Sequence, residues 1–230
     1  VKSMFQLNFF KEDQIPKLRK WGFLRNNKLF HLNMNQVLSS QLLRSQNQSI
    51  LRFKNLRSLN YIASDNLQPQ LMSKIFGKKS KIRCLRMNIS SHTVSSGVDI
   101  LGSTLFSLKF LSGLEDLAIS TFMTAPKDYQ FKTLHFKSLP HLKTFSFRYV
   151  GLPGLGWKRM NYLSRFLESA KNLKFLSLSF SVTLNNDQHK EAFIYLVKVL
   201  GRLTQLEKFS IQLHSSILSQ ECFFYFGRAI

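Results

Sequence analysis

The chain has 230 residues, enough for one sizeable domain or two small ones, and 44% of them are hydrophobic, with 37 Leu and 22 Phe. That apolar content excludes an intrinsically disordered chain, and no stretch reaches the roughly 20 apolar residues of a membrane-spanning helix. Thirty-three Lys and Arg against 12 acids leave a net charge of +21, which favours an anionic partner: nucleic acid, an acidic protein surface or anionic lipid.

In chain order, residues 1–50 are set apart as a basic amino-terminal segment, read as a cap or a degenerate first repeat. Lys17, Arg19, Lys20, Arg25 and Lys28 alternate there with Trp21, Phe23 and Phe30. From Leu51 onward one pattern returns: an apolar residue, two variable ones, an apolar residue, one variable, and a third apolar residue. It appears as Leu56-Arg-Ser-Leu59-Asn-Tyr61, Ile82-Arg-Cys-Leu85-Arg-Met87 and Leu114-Glu-Asp-Leu117-Ala-Ile119. It continues as Leu142-Lys-Thr-Phe145-Ser-Phe147, Leu173-Lys-Phe-Leu176-Ser-Leu178 and Leu206-Glu-Lys-Phe209-Ser-Ile211. The starts are 26, 32, 28, 31 and 33 residues apart, a period that signals stacked supersecondary units.

The alternation within each copy predicts a strand with one buried face. Between the copies, three segments carry helical spacing: Val98–Leu111, Tyr162–Leu173 and Lys190–Leu203. Asn185-Asn186-Asp187 precedes the last of these as a helix cap, with Glu191 expected in the first turn. Ile217 to Ile230, with Cys222, Phe223, Phe224 and Phe226, reads as the helix of the final unit.

The repeated Leu-x-x-Leu-x-Leu resembles the leucine-rich-repeat family, and the repeat length resembles its ribonuclease-inhibitor-like subclass. The resemblance covers residues 51–230, about six repeats. It implies an α/β solenoid with a curved parallel sheet on the concave side and helices on the convex side. It further implies that outward-pointing strand residues form the binding surface, with Arg86, Asn88, Asp116, Arg148, Phe175 and Lys208 as the candidate contacts. The family places Asn at the ninth position, where it bonds to loop backbone. Here that position holds Ser64, Ser90, Phe122, Val150, Ser181 and His214, so the resemblance implies a divergent member and an irregular arc is expected.

The charge is unevenly spread. Residues 1–90 carry 17 bases and three acids, a net of +14, whereas residues 91–230 carry 16 and nine, a net of +7. Six bases fall within the thirteen residues from Lys74 to Arg86. The candidate polyanion-binding residues are therefore Lys17, Arg19, Lys20, Lys74, Lys78, Lys79, Lys81 and Arg83. Bases mixed with aromatics suit phosphate contact plus base stacking; equally, the aromatics are core and the bases the solvated side of the same elements.

Catalytic chemistry is not indicated. His31, His92, His135, His141, His189 and His214 show no metal or triad spacing, and the acids form no pair placed for acid/base work. Gly151-Leu-Pro-Gly154-Leu-Gly156-Trp-Lys158 lacks the ending of a phosphate-binding loop and reads as a turn between a strand and its helix. Two cysteines, Cys84 and Cys222, point to a reducing, intracellular compartment: cytoplasm, nucleus or mitochondrion. The expectation is a non-catalytic scaffold or adaptor without cofactor or metal, binding protein partners as a subunit of a larger assembly. The alternative is an RNA-associated subunit of a ribosome-like particle, using the basic amino-terminal surface.

Overall fold

A computed structural model describes residues 5–9, 29–38, 56–63, 81–91, 105, 108, 111–123, 139–150, 155–181 and 187–214. The chain is α/β. Its strands are β1 (Phe5–Phe9), β2 (Leu29–Leu38), β3 (Ser58–Ala63), β4 (Cys84–Ser91), β5 (Asp116–Met123), β6 (Thr144–Val150), β7 (Phe175–Ser181) and β8 (Lys208–His214). Helix α1 (Trp157–Ser169) lies between β6 and β7, and helix α2 (Asp187–Leu200) lies between β7 and β8. The strands form one open sheet in sequence order, and every neighbouring pair is parallel. Parallel neighbours that are also consecutive in sequence require a crossover each time, which is what the segments between the motif copies supply.

The six motif copies occupy equivalent places on β3 to β8. Leu59, Leu85, Leu117, Phe145, Leu176 and Phe209 are paired across the sheet as one row, and Tyr61, Met87, Ile119, Phe147, Leu178 and Ile211 as the next. From β3 to β8 the register runs without a bulge; shifts occur only in the β1/β2 and β2/β3 pairs. The irregularity expected at the divergent ninth positions is therefore not found in the strands that carry Phe122 and Val150. The reason is that alternation persists two residues beyond the motif. Ile89, Thr121, Tyr149 and Phe180 are buried as a third inward row, so the ninth residue turns outward on the strand. Phe122 and Val150 are each 41% exposed.

Two repeating backbone devices join the units. The carbonyl of the motif's second residue accepts two N–H bonds from the next unit: Arg57 O from Arg83 and Cys84, Arg83 O from Glu115 and Asp116, and so on through Glu115, Lys143 and Lys174. The motif's first residue also closes a turn onto the residue three before it. Leu114 N donates to Leu111 O, Leu142 N to Leu139 O, Leu173 N to Ala170 O and Leu206 N to Leu203 O. Leu111, Leu139, Ala170 and Leu203 are buried, so each unit's apolar pattern begins three residues earlier than the motif.

That turn explains why both helices end before the helical periodicity does. Helix α1 runs 157–169 where the spacing predicts 162–173, and α2 runs 187–200 where it predicts 190–203. Ala170 leaves the helix at φ −104° and ψ 57°, and the last apolar residue of each pattern belongs to the turn into the next strand. Asp187 is the acid of the first turn of α2, favourably placed against the helix dipole; Glu191 lies beyond that turn. Of the predicted helix Val98–Leu111, Leu105, Leu108 and Leu111 are described and buried, and the remainder falls outside the described residues, as does 217–230.

Met160, Leu163, Phe166 and Leu167 of α1 and Phe193, Leu196, Val197 and Leu200 of α2 are buried in one core with the inward strand rows. The Phe166 ring meets the Phe145 ring of β6 at 4.9 Å with a 56° tilt, one of the favoured aromatic arrangements. The two helices are also tied to each other. Tyr195 donates to Glu168 at 2.7 Å, and Arg202 donates to the same carboxylate at 3.2 Å. Burial first, then the Glu168 bond, raises the Tyr195 phenol above its ordinary pKa, so the hydroxyl remains a donor throughout the neutral range. Among the described residues no helix is long and apolar enough to cross a membrane.

Candidate functional site: the outward face of the sheet

With both described helices packed on one face, the alternate strand residues point to the other. In register they form four rows. The first is Ser58, Cys84, Asp116, Thr144, Phe175 and Lys208; the second is Asn60, Arg86, Ala118, Ser146, Ser177 and Ser210. The third includes Asn88, Ser120, Arg148, Ser179 and Gln212, and the fourth includes Phe122 and Val150, then Ser181 and His214. All six sequence-predicted contacts of this face stand on it, and each is half-buried or exposed.

The face has local order at one end of the rows. Cys84 donates its thiol proton to Asp116 Oδ2 at 3.4 Å, and Arg86 approaches the same oxygen at 3.9 Å. Burial and then the Asp116 carboxylate push the Cys84 thiol above its ordinary pKa, against the smaller opposing effects of a Ser58 hydrogen bond and the Arg86 charge. A raised thiol pKa lowers the thiolate fraction and with it the reactivity of the sulfur near neutrality. At the far end, the Lys208 ammonium sits 5.8 Å from the centre of the Phe175 ring, a cation–π contact that covers the aromatic. Phe175 itself is half-buried.

Of the polyanion candidates, Lys81 and Arg83 are described; Lys17, Arg19, Lys20, Lys74, Lys78 and Lys79 lie outside the described residues. Lys81 is exposed just before β4. Arg83 is engaged: its guanidinium lies 3.0 Å from Glu115, whose other oxygen is 3.9 Å from Lys143. One strand pair further on, Lys174 pairs with Glu207. Arg83, Glu115, Lys143, Lys174 and Glu207 all occupy the motif's second position, so the register makes a charge row along the amino-terminal ends of β4 to β8. This row escaped the sequence reading. Its signal was present, because the second letter of successive copies reads Arg, Arg, Glu, Lys, Lys and Glu.

Arg148 projects from the middle of β6, register-paired with Ser120 and Ser179, and among the described residues its side chain forms neither an ion pair nor a hydrogen bond. Phe122 and Val150 are paired to each other one step further along the same two strands. They are the exposed large hydrophobic residues of the described chain. Sequence reasoning noted them as departures from the asparagine pattern and missed them as surface. No His, Cys, Asp or Glu grouping able to hold a metal occurs among the described residues. No protein-family model matches the chain, and no curated protein matches it.

Proposed function

We propose that this chain is a divergent leucine-rich-repeat solenoid that acts as a non-catalytic scaffold, binding protein partners as a subunit of a larger assembly. The observation that carries the reading is the sheet face opposite the described helices: a broad, register-aligned, mostly hydroxyl and amide surface with three bases and one acid, Asp116, among its described residues. Small polar side chains on regular strands make a surface suited to selective contact with another polypeptide. The raised Cys84 thiol argues against nucleophilic chemistry at the cysteine that the described residues place on that face. Repeat architectures serve many roles, so the argument rests on the surface and not on the architecture.

The net charge of +21 favours a second reading, an RNA-associated subunit that uses the basic amino-terminal part. The two readings separate in a salt titration of binding to a short single-stranded RNA. The scaffold reading expects weak RNA affinity and little effect of the combined Lys78→Glu, Lys79→Glu and Lys81→Glu substitution. An RNA affinity that falls steeply with salt and is abolished by that triple substitution would establish the second reading instead.

A further inference from the structure

We infer that Arg148, with the Phe122–Val150 step beside it, is the anchor point for an extended acidic polypeptide segment carrying an apolar residue two positions from its Asp or Glu. The inference rests on the scaffold reading and names the partner chemistry at its surface. Arg148 lacks a counter-charge among the described residues, whereas the other arginine of the face, Arg86, approaches Asp116 at 3.9 Å. Ser120 and Ser179 flank it in register, placing hydroxyl donors on both sides of a guanidinium whose planar fork matches a carboxylate. Two residues along β6 stands Val150, paired to Phe122 on β5, each 41% exposed. Residues two apart on a strand are roughly 6.6 Å apart, so one extended partner strand can meet the cation and the apolar step together.

Charge decides the sign of the partner. The described part of this face holds Arg86, Arg148 and Lys208 against Asp116 alone, on a chain of net charge +21. A polypeptide is favoured over a nucleic acid because those bases stand singly on different strands, and a phosphate track needs a continuous row. The apolar step beside Arg148 adds specificity for a side chain that a phosphodiester lacks.

The test is a selection of random nonapeptides against the full chain at physiological salt, followed by affinity measurement on variants. Recovered sequences are expected to share an Asp or Glu with an apolar residue two positions away. Binding is expected to weaken at least ten-fold in Arg148→Gln and in Val150→Asp, and less than two-fold in Lys198→Gln, which removes an exposed charge on α2. Equal losses in Arg148→Gln and Lys198→Gln would reduce the effect to overall charge and overturn the inference. So would recovered peptides lacking the acidic–apolar pair, or an oligouridine whose binding is the one lost in Arg148→Gln. A natural protein partner that remains bound to Arg148→Gln would overturn the inference while leaving the scaffold reading intact; the absence of any protein partner would remove the scaffold reading itself.

Discussion

Two buried or half-buried groups show how single residues are tuned by their rows. Thr121 occupies the third inward row between Ile89 and Tyr149, is 1% exposed, and its hydroxyl has no hydrogen-bond partner among the described residues. A buried hydroxyl without a partner costs about 1–3 kcal/mol, a cost that an apolar residue of the same shape avoids. Thr121→Val is therefore expected to raise the stability by about 1 kcal/mol, read as a higher denaturant midpoint with an unchanged slope. Cys84 is the second case. Its pKa is raised by burial first and by Asp116 second, so the thiolate fraction at pH 8 is suppressed relative to a free cysteine. Asp116→Asn removes the second cause and leaves the first. Alkylation of Cys84 at pH 8, followed by peptide mass spectrometry, should accelerate a few-fold, with the pH midpoint moving down while remaining above that of a free thiol. A slower reaction would contradict the assigned electrostatics.

At the scale of elements, helix α1 begins poorly. Gly156 caps it with no side-chain hydrogen bond, and its first turn carries no acid. The cap sits at φ −61°, and a Cβ there meets nothing within 4 Å. Gly156→Asp supplies a cap acceptor, a charge matched to the helix dipole and a less flexible unfolded chain. The combined gain is expected to be about 1 kcal/mol in thermal or denaturant unfolding; a loss would show that the cap is not open as described. The strands from β3 to β8 were legible in the sequence because half-buried strands announce themselves by alternation, and Leu59, Leu85, Leu117, Phe145, Leu176 and Phe209 all fall in one row. Helix ends were less legible, since Leu173 and Leu203 continue the helical spacing although they belong to turns. The outward placement of Phe122 and Val150 at the ninth position was hidden for a related reason. Burial at that position depends on whether the strand continues, and Thr121 and Tyr149 continue it.

For the whole molecule, what the sequence could not show was which charges answer one another. Arg83 stands in a basic cluster of the chain, yet in the sheet it faces Glu115, 32 residues away by sequence, at 3.0 Å. Arg148 stands in an unremarkable stretch, yet it is the arginine of the outward sheet face without a counter-charge among the described residues. Only the register converts a list of charged residues into paired and available ones among the described residues. The claim that the chain binds protein is tested most directly by its company after nuclease treatment. Purified from its source and digested exhaustively with ribonuclease, the chain is predicted to remain in a stoichiometric complex with a protein partner that withstands moderate salt. If ribonuclease releases the chain as a free species, and its associated mass was RNA, the scaffold account is wrong.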